Sequence, residues 1–118
     1  MIFIETSDPN VVANFKTLWF GANAQSLPQV GSYSGSGVGL SSSADEVTLW
    51  DGTGNLITGV GFGASPSAAP FATFDNHAGA GASLLPLPVL STLSATGVSG
   101  AFTASGDANE VGSPGRTH

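Results

Sequence analysis

The chain contains no cysteine, and its only basic side chains are Lys16 and Arg116. Without cysteine there is no disulfide, no iron–sulfur ligation and no thiol nucleophile. Eight acidic residues against two basic ones give a formal net charge of −6. That charge repels phosphate backbones and anionic lipid headgroups, so nucleic-acid binding has almost no electrostatic support and anionic membrane surfaces are disfavoured. Charge of either sign is scarce, at 8% of residues, where an average soluble domain has about 25%. Long apolar runs are also missing. The longest, Leu84–Leu90, is interrupted by Pro86 and Pro88 and falls far short of the ~20 residues that span a bilayer, so no membrane insertion is expected. Met1 leads directly into Ile2-Phe3-Ile4 with no charged leader, so no signal peptide is expected.

What is present is 41% hydrophobic residues, 17 glycines and 7 prolines in 118 residues. This length suits one domain spanning 1–118, with one modest core and 112–118 as a tail. Ile2-Phe3-Ile4 reads as a short buried strand. The next segment predicts a helix: Asp8 caps it, Pro9 suits its first position and Gly21 closes it. Val11, Val12, Phe15, Leu18 and Trp19 recur at i, i+1, i+4, i+7 and i+8, an apolar face that places Phe15 and Trp19 in the core. Gln29–Tyr33 is an expected strand. Glu46–Trp50 and Asn55–Phe62, joined through Asp51-Gly52-Thr53-Gly54, form the clearest hairpin. On its second strand Leu56, Thr58, Val60 and Phe62 share a face. Gly59 and Gly61 leave the other face bare, the mark of a closely approaching neighbour. Phe71–Phe74, Val89–Ala95 and Ala101–Ala104 read as further short strands, and Leu84–Pro88 as an edge or connector. The pattern predicts a mainly β fold, a β-sandwich with one short α-helix near the N-terminus.

Reactive chemistry has few footholds. No serine has glycine at both −2 and +2, so the nucleophile elbow of the α/β-hydrolases is absent. A Ser-His-Asp arrangement would have to use His77 with Asp75, which share a face if that stretch is extended. Zinc is excluded by one internal histidine and no cysteine. Asp51, Thr53 and Asn55 supply oxygens at alternate positions, as an opening calcium loop does. Leu56 stands where such a loop needs glycine, so a plain turn is expected and Asp51 with Asn55 is the weak metal alternative. Gly59-Val60-Gly61-Phe62-Gly63-Ala64 approximates a dinucleotide fingerprint, but Pro66 and Pro70 block the helix that must follow. No cofactor is expected. Trp50 alternates onto the Glu46/Thr48 face; burial under the helix or a loop is the expectation for it. Left exposed, Trp50 together with Tyr33 could bind a sugar or a protein partner.

The segment Gly37–Ile57, running Gly39-Leu40-Ser41 through Asp45-Glu46-Val47-Thr48-Leu49-Trp50-Asp51 to Gly54-Asn55, resembles the central hairpin of bacterial lamin-tail domains. The opening Ile2-Phe3-Ile4-Glu5 resembles a strand of that family. Glu110-Val111-Gly112-Ser113-Pro114-Gly115 resembles its closing segment. The three occur in the family's order and cover nearly the whole chain. The resemblance implies an immunoglobulin-like β-sandwich with no catalytic residues, serving attachment or interaction in secreted or cell-surface bacterial proteins. Complete modules carry further strands ahead of the first segment, so on this resemblance the sandwich is incomplete and its apolar edges are open. Open edges invite strand addition by a protein partner or by a second copy. The resulting expectation is a non-catalytic interaction module. Its alternatives are a small hydrolase built on His77 and Asp75, and a glycan-binding module built on Trp50.

Overall fold

The computed structural model describes residues 1–22, 28–35, 39–79 and 83–116. The fold is mainly β, with three small sheets and one α-helix among these residues.

The chain opens on β1 (Ile2–Glu5), whose residues alternate between half-buried and exposed. Helix α1 (Pro9–Phe20) follows as expected. The Asp8 carboxylate accepts the Asn10 backbone N–H at 2.8 Å, satisfying one of the donors a helix start leaves free. At the other end Gly21 takes φ 73°, and its N–H reaches the Thr17 carbonyl at 2.9 Å. Strand β2 (Val30–Tyr33) then pairs parallel with β1, Ile2 opposite Val30 and Glu5 opposite Tyr33. The helix is therefore the crossover of a parallel β–α–β unit, the connection that two adjacent parallel strands require.

The second sheet runs β3 (Asp45–Trp50), β4 (Leu56–Phe62), β6 (Val89–Leu90). β3 and β4 form the expected antiparallel hairpin, Val47 opposite Val60 and Leu49 opposite Thr58. The register slips by one between Leu49 and Trp50, so that Trp50 faces Leu56. Directly opposed residues share a face, so the slip removes Leu56 from the face it was expected to share with Thr58 and Val60. On the bare side the glycines do receive a neighbour. A Cβ on Gly59 would lie 2.8 Å from the Leu87 side chain, and one on Gly61 would lie 3.4 Å from that of Val89. The approaching segment is β6, parallel to β4, with the Gly61 N–H donating to the Pro88 carbonyl at 2.9 Å.

The third sheet places β8 (Glu110–Gly112) between β5 (Phe71–Ala72) and β7 (Phe102–Thr103). Beyond β5 the chain is tied to the segment following β6. Thr73 accepts the Ser94 N–H at 2.8 Å, the Asp75 N–H reaches Thr92 at 2.8 Å, and Phe74 bridges to Leu93. These bonds lock the second and third sheets together.

The core sits where α1 meets the third sheet. Trp19 is 6% exposed, and its ring meets Phe102 edge-on at 5.6 Å and Phe15 at 6.2 Å. The Arg116 guanidinium covers the Phe102 ring at 4.1 Å. The loop after β7 clasps the last helical turn: Gly106 donates to the Leu18 carbonyl at 2.8 Å, and the Ser105 hydroxyl to that of Trp19 at 3.3 Å. Those carbonyls have no partner within the helix. Gly106 suits this close approach, since an added Cβ would lie 3.3 Å from the Leu18 Cα. Ala72, Leu90, Ala101, Ala104 and Val111 complete the buried apolar set. Gly112 and Ser113, at the start of the expected tail, are also buried.

Candidate functional site

The β3–β4 hairpin carries the most distinctive surface. Its turn is held by a single carboxylate. Asp51 Oδ1 accepts the Asn55 N–H at 2.9 Å, the Thr53 N–H at 2.8 Å and the Thr53 hydroxyl at 2.8 Å, and Oδ2 accepts the Asn55 side-chain amide at 2.9 Å. The Asn55 backbone bond, its side-chain amide and the two Thr53 donors hold the Asp51 carboxyl well below the usual carboxylate range. The arrangement is that of the plain turn. Asp51 and Asn55 bond to each other as acceptor and donor instead of turning their oxygens towards a common point. No cluster of three or more histidine or acidic residues suited to a metal occurs among the described residues. At the hairpin's open end the Asp45 carboxyl is also lowered, first by the Ser41 N–H and then by the Glu46 N–H, each at 2.9 Å.

Trp50 departs from its expected burial: it is 59% exposed. It lies beside the register slip, and neither the helix nor a described loop covers it. Its ring nitrogen donates to the Thr48 hydroxyl at 3.1 Å, which tethers the indole along the strand. Leu49 is equally exposed at 59%, and Ile57 on β4 and Val89 on β6 are exposed as well. Tyr33 is half-buried on β2, in a different sheet from Trp50. The structure therefore does not join the two aromatic residues in one sheet.

Asp75 and His77 are not on an extended strand. Asn76–Gly79 forms a single 3₁₀ turn, and Asp75 Oδ1 accepts the His77 backbone N–H at 2.9 Å. The carboxylate caps that turn through the main chain, and the His77 side chain is exposed. The hydroxyls of Thr73 and Ser94 bond to each other at 3.0 Å. The remainder of the expected 76–83 loop, residues 80–82, lies outside the described residues, as do 36–38 of the family-like segment and the terminal Thr117-His118.

Two of the grooves that adjoin the hairpin share Val60 and Leu90 in their walls. One of about 250 Å³ lies between Val47, Leu49, Val60, Asn76 and Leu90. The other, about 570 Å³, opens between the sheets and is walled by Phe15, Trp19, Phe62, Phe74 and Leu90, with Arg116 at its rim. Both are predominantly apolar, and neither gathers a nucleophile, a base and an oxyanion donor. The exposed apolar residues of β3 and β4 were readable as a strand pair with hydrophobic residues on both faces, since Trp50 and Ile57 fall outside the Val47/Leu49 and Thr58/Val60 sets. Set against models of protein families, curated proteins and solved structures, the chain finds no match.

Proposed function

We propose that this chain is a non-catalytic interaction module, an immunoglobulin-like β-sandwich of the lamin-tail type that attaches a secreted or cell-surface bacterial protein to a partner. The three ordered family-like segments support the type. The observation that carries the function is the sheet surface itself: Leu49, Trp50, Ile57 and Val89 are each more than half exposed around one hairpin. Large apolar side chains left exposed on both faces of one hairpin are surface that association covers, and the chain's low charge leaves it little masked.

The test is turnover. The purified protein and its His77→Ala variant are assayed on ester, phosphate-ester and glycoside substrates. The module reading expects no turnover that depends on His77. Activity present in the parent and lost in the variant would establish the hydrolase instead. The exposure of Trp50 also favours a second reading, stacking on a sugar ring. A glycan-induced change in tryptophan emission that disappears in Trp50→Ala would favour it over protein attachment.

A further inference from the structure

We propose that the free edge of β3 is a self-recognition surface, pairing antiparallel with β3 of a second copy so that Leu49 faces Leu49 across a two-fold axis. The proposal rests on the module reading above and names its partner.

Among the described residues β3 is the terminal strand of its sheet, hydrogen-bonded to a neighbouring strand on one side only. Which groups face outward follows from the bonds around it. The Asp51 N–H points inward to the Asn55 carbonyl at 2.9 Å. On β4, Gly61 and Gly63 donate away from β3 to Pro88 and Leu90, so Val60 and Phe62 turn their amides towards it. Val47 and Leu49, opposite Val60 and Thr58, are therefore the inward-bonded residues. Glu46, Thr48 and Trp50 direct their main-chain groups outward. The Glu46 N–H is already taken by the Asp45 carboxylate at 2.9 Å. Thr48 and Trp50 remain.

One register uses both residues fully. With Leu49 on the axis, Thr48 stands opposite Trp50 of the second copy and Trp50 opposite its Thr48. All the outward N–H and C=O groups of the two residues are then paired, and the Asp45–Glu46 bond is undisturbed. Even sequence sums keep side chains on matching faces. Val47 lies opposite Asp51 of the second copy, and Glu46 opposite its Gly52. No carboxylate therefore faces another, the condition that a chain of net charge −6 must meet to pair with itself.

The absence of cysteine makes the test direct. Residues opposed across such an axis without exchanging hydrogen bonds have Cα atoms about 4.5 Å apart, within the range a disulfide spans. Leu49→Cys is therefore expected to form a covalent dimer rapidly under mild oxidation, and Ser67→Cys, exposed in a distant loop, is not. Sedimentation of the unaltered chain is expected to show a concentration-dependent dimer. Leu49→Lys, which sets like charges face to face, is expected to weaken that dimer by about tenfold or more with an unchanged circular dichroism spectrum. A chain that stays monomeric at high concentration overturns the proposal. So does an oligomer in which Leu49→Cys cross-links no faster than Ser67→Cys. Either result, without His77-dependent turnover, leaves the module reading standing; His77-dependent turnover removes that reading whatever the cross-linking shows.

Discussion

The two tryptophans should differ sharply in what their removal does to stability. Trp19 is 6% exposed and packed against Phe15 and Phe102; Trp50 is 59% exposed. A buried tryptophan removes roughly 200 Å² from water, which at ~25 cal/mol/Å² is at most about 5 kcal/mol. Truncation to alanine in a core costs about 3–5 kcal/mol, the upper part where the site does not collapse. The Trp19 site is held open by α1 on one side and β7 on the other. A chain of this length has a total stability of roughly 6–18 kcal/mol, so Trp19→Ala is expected to remove a large share of it and to lower Tm by roughly 10–25 °C. Trp50→Ala should change stability by no more than about 0.5 kcal/mol, as for an ordinary surface site. Urea unfolding of both variants, followed by circular dichroism in dilute solution, measures the difference. A Trp19→Ala loss below about 1 kcal/mol, or equal losses in the two variants, would refute the placement of the core at the junction of α1 and the third sheet.

Two other perturbations test separate parts of the fold. Gly112→Ala puts a methyl group 2.7 Å from the Thr73 hydroxyl and 3.1 Å from the Trp19 ring; overpacking of that kind costs about 1–3 kcal/mol, read as a lowered urea midpoint, and an unchanged midpoint contradicts the packing. Asp51 has a folded pKa depressed below its ordinary value of 3.8, so its contribution is fully present above that value and is lost as pH falls through the lower folded one. Asp51→Ala should therefore unfold at lower urea than the parent near neutrality, with the gap narrowing as pH drops below 3.8; a gap independent of pH would show that the carboxylate does not hold the turn.

Local chemistry was legible in the sequence and long-range pairing was not. Asp8, Pro9 and Gly21 marked the helix to the residue, because capping depends on neighbours two to four positions away. The Asp51–Gly54 turn marked the hairpin for the same reason. The partners of the short strands were hidden. β5, β6 and β7 have two residues each, too few to show a period, and their positions are set by neighbours far along the chain. β8 was read only as a family-like ending, yet it is the middle of a sheet. Parallel pairing of β1 with β2 makes the expected N-terminal helix a crossover. Trp50 was misplaced because alternation predicts which face a residue takes and says nothing of whether anything covers that face. The Asp75/His77 pair separated for a related reason: Asn76–Gly79 coils into a 3₁₀ turn, and two-residue spacing shares a face only on an extended strand.

The position of β8 has a consequence for vectorial synthesis. Emerging from the ribosome, the polypeptide presents β5 some forty positions before its pairing strand, and β7 shortly before it. Both must wait unbonded until Glu110–Gly112 arrives between them. The clasp of Ser105 and Gly106 on the end of α1 is equally late, spanning 86 positions. Closure of such distant contacts is slow and leaves nascent apolar segments open to misassociation, so the third sheet stays open until Glu110–Gly112 has been made.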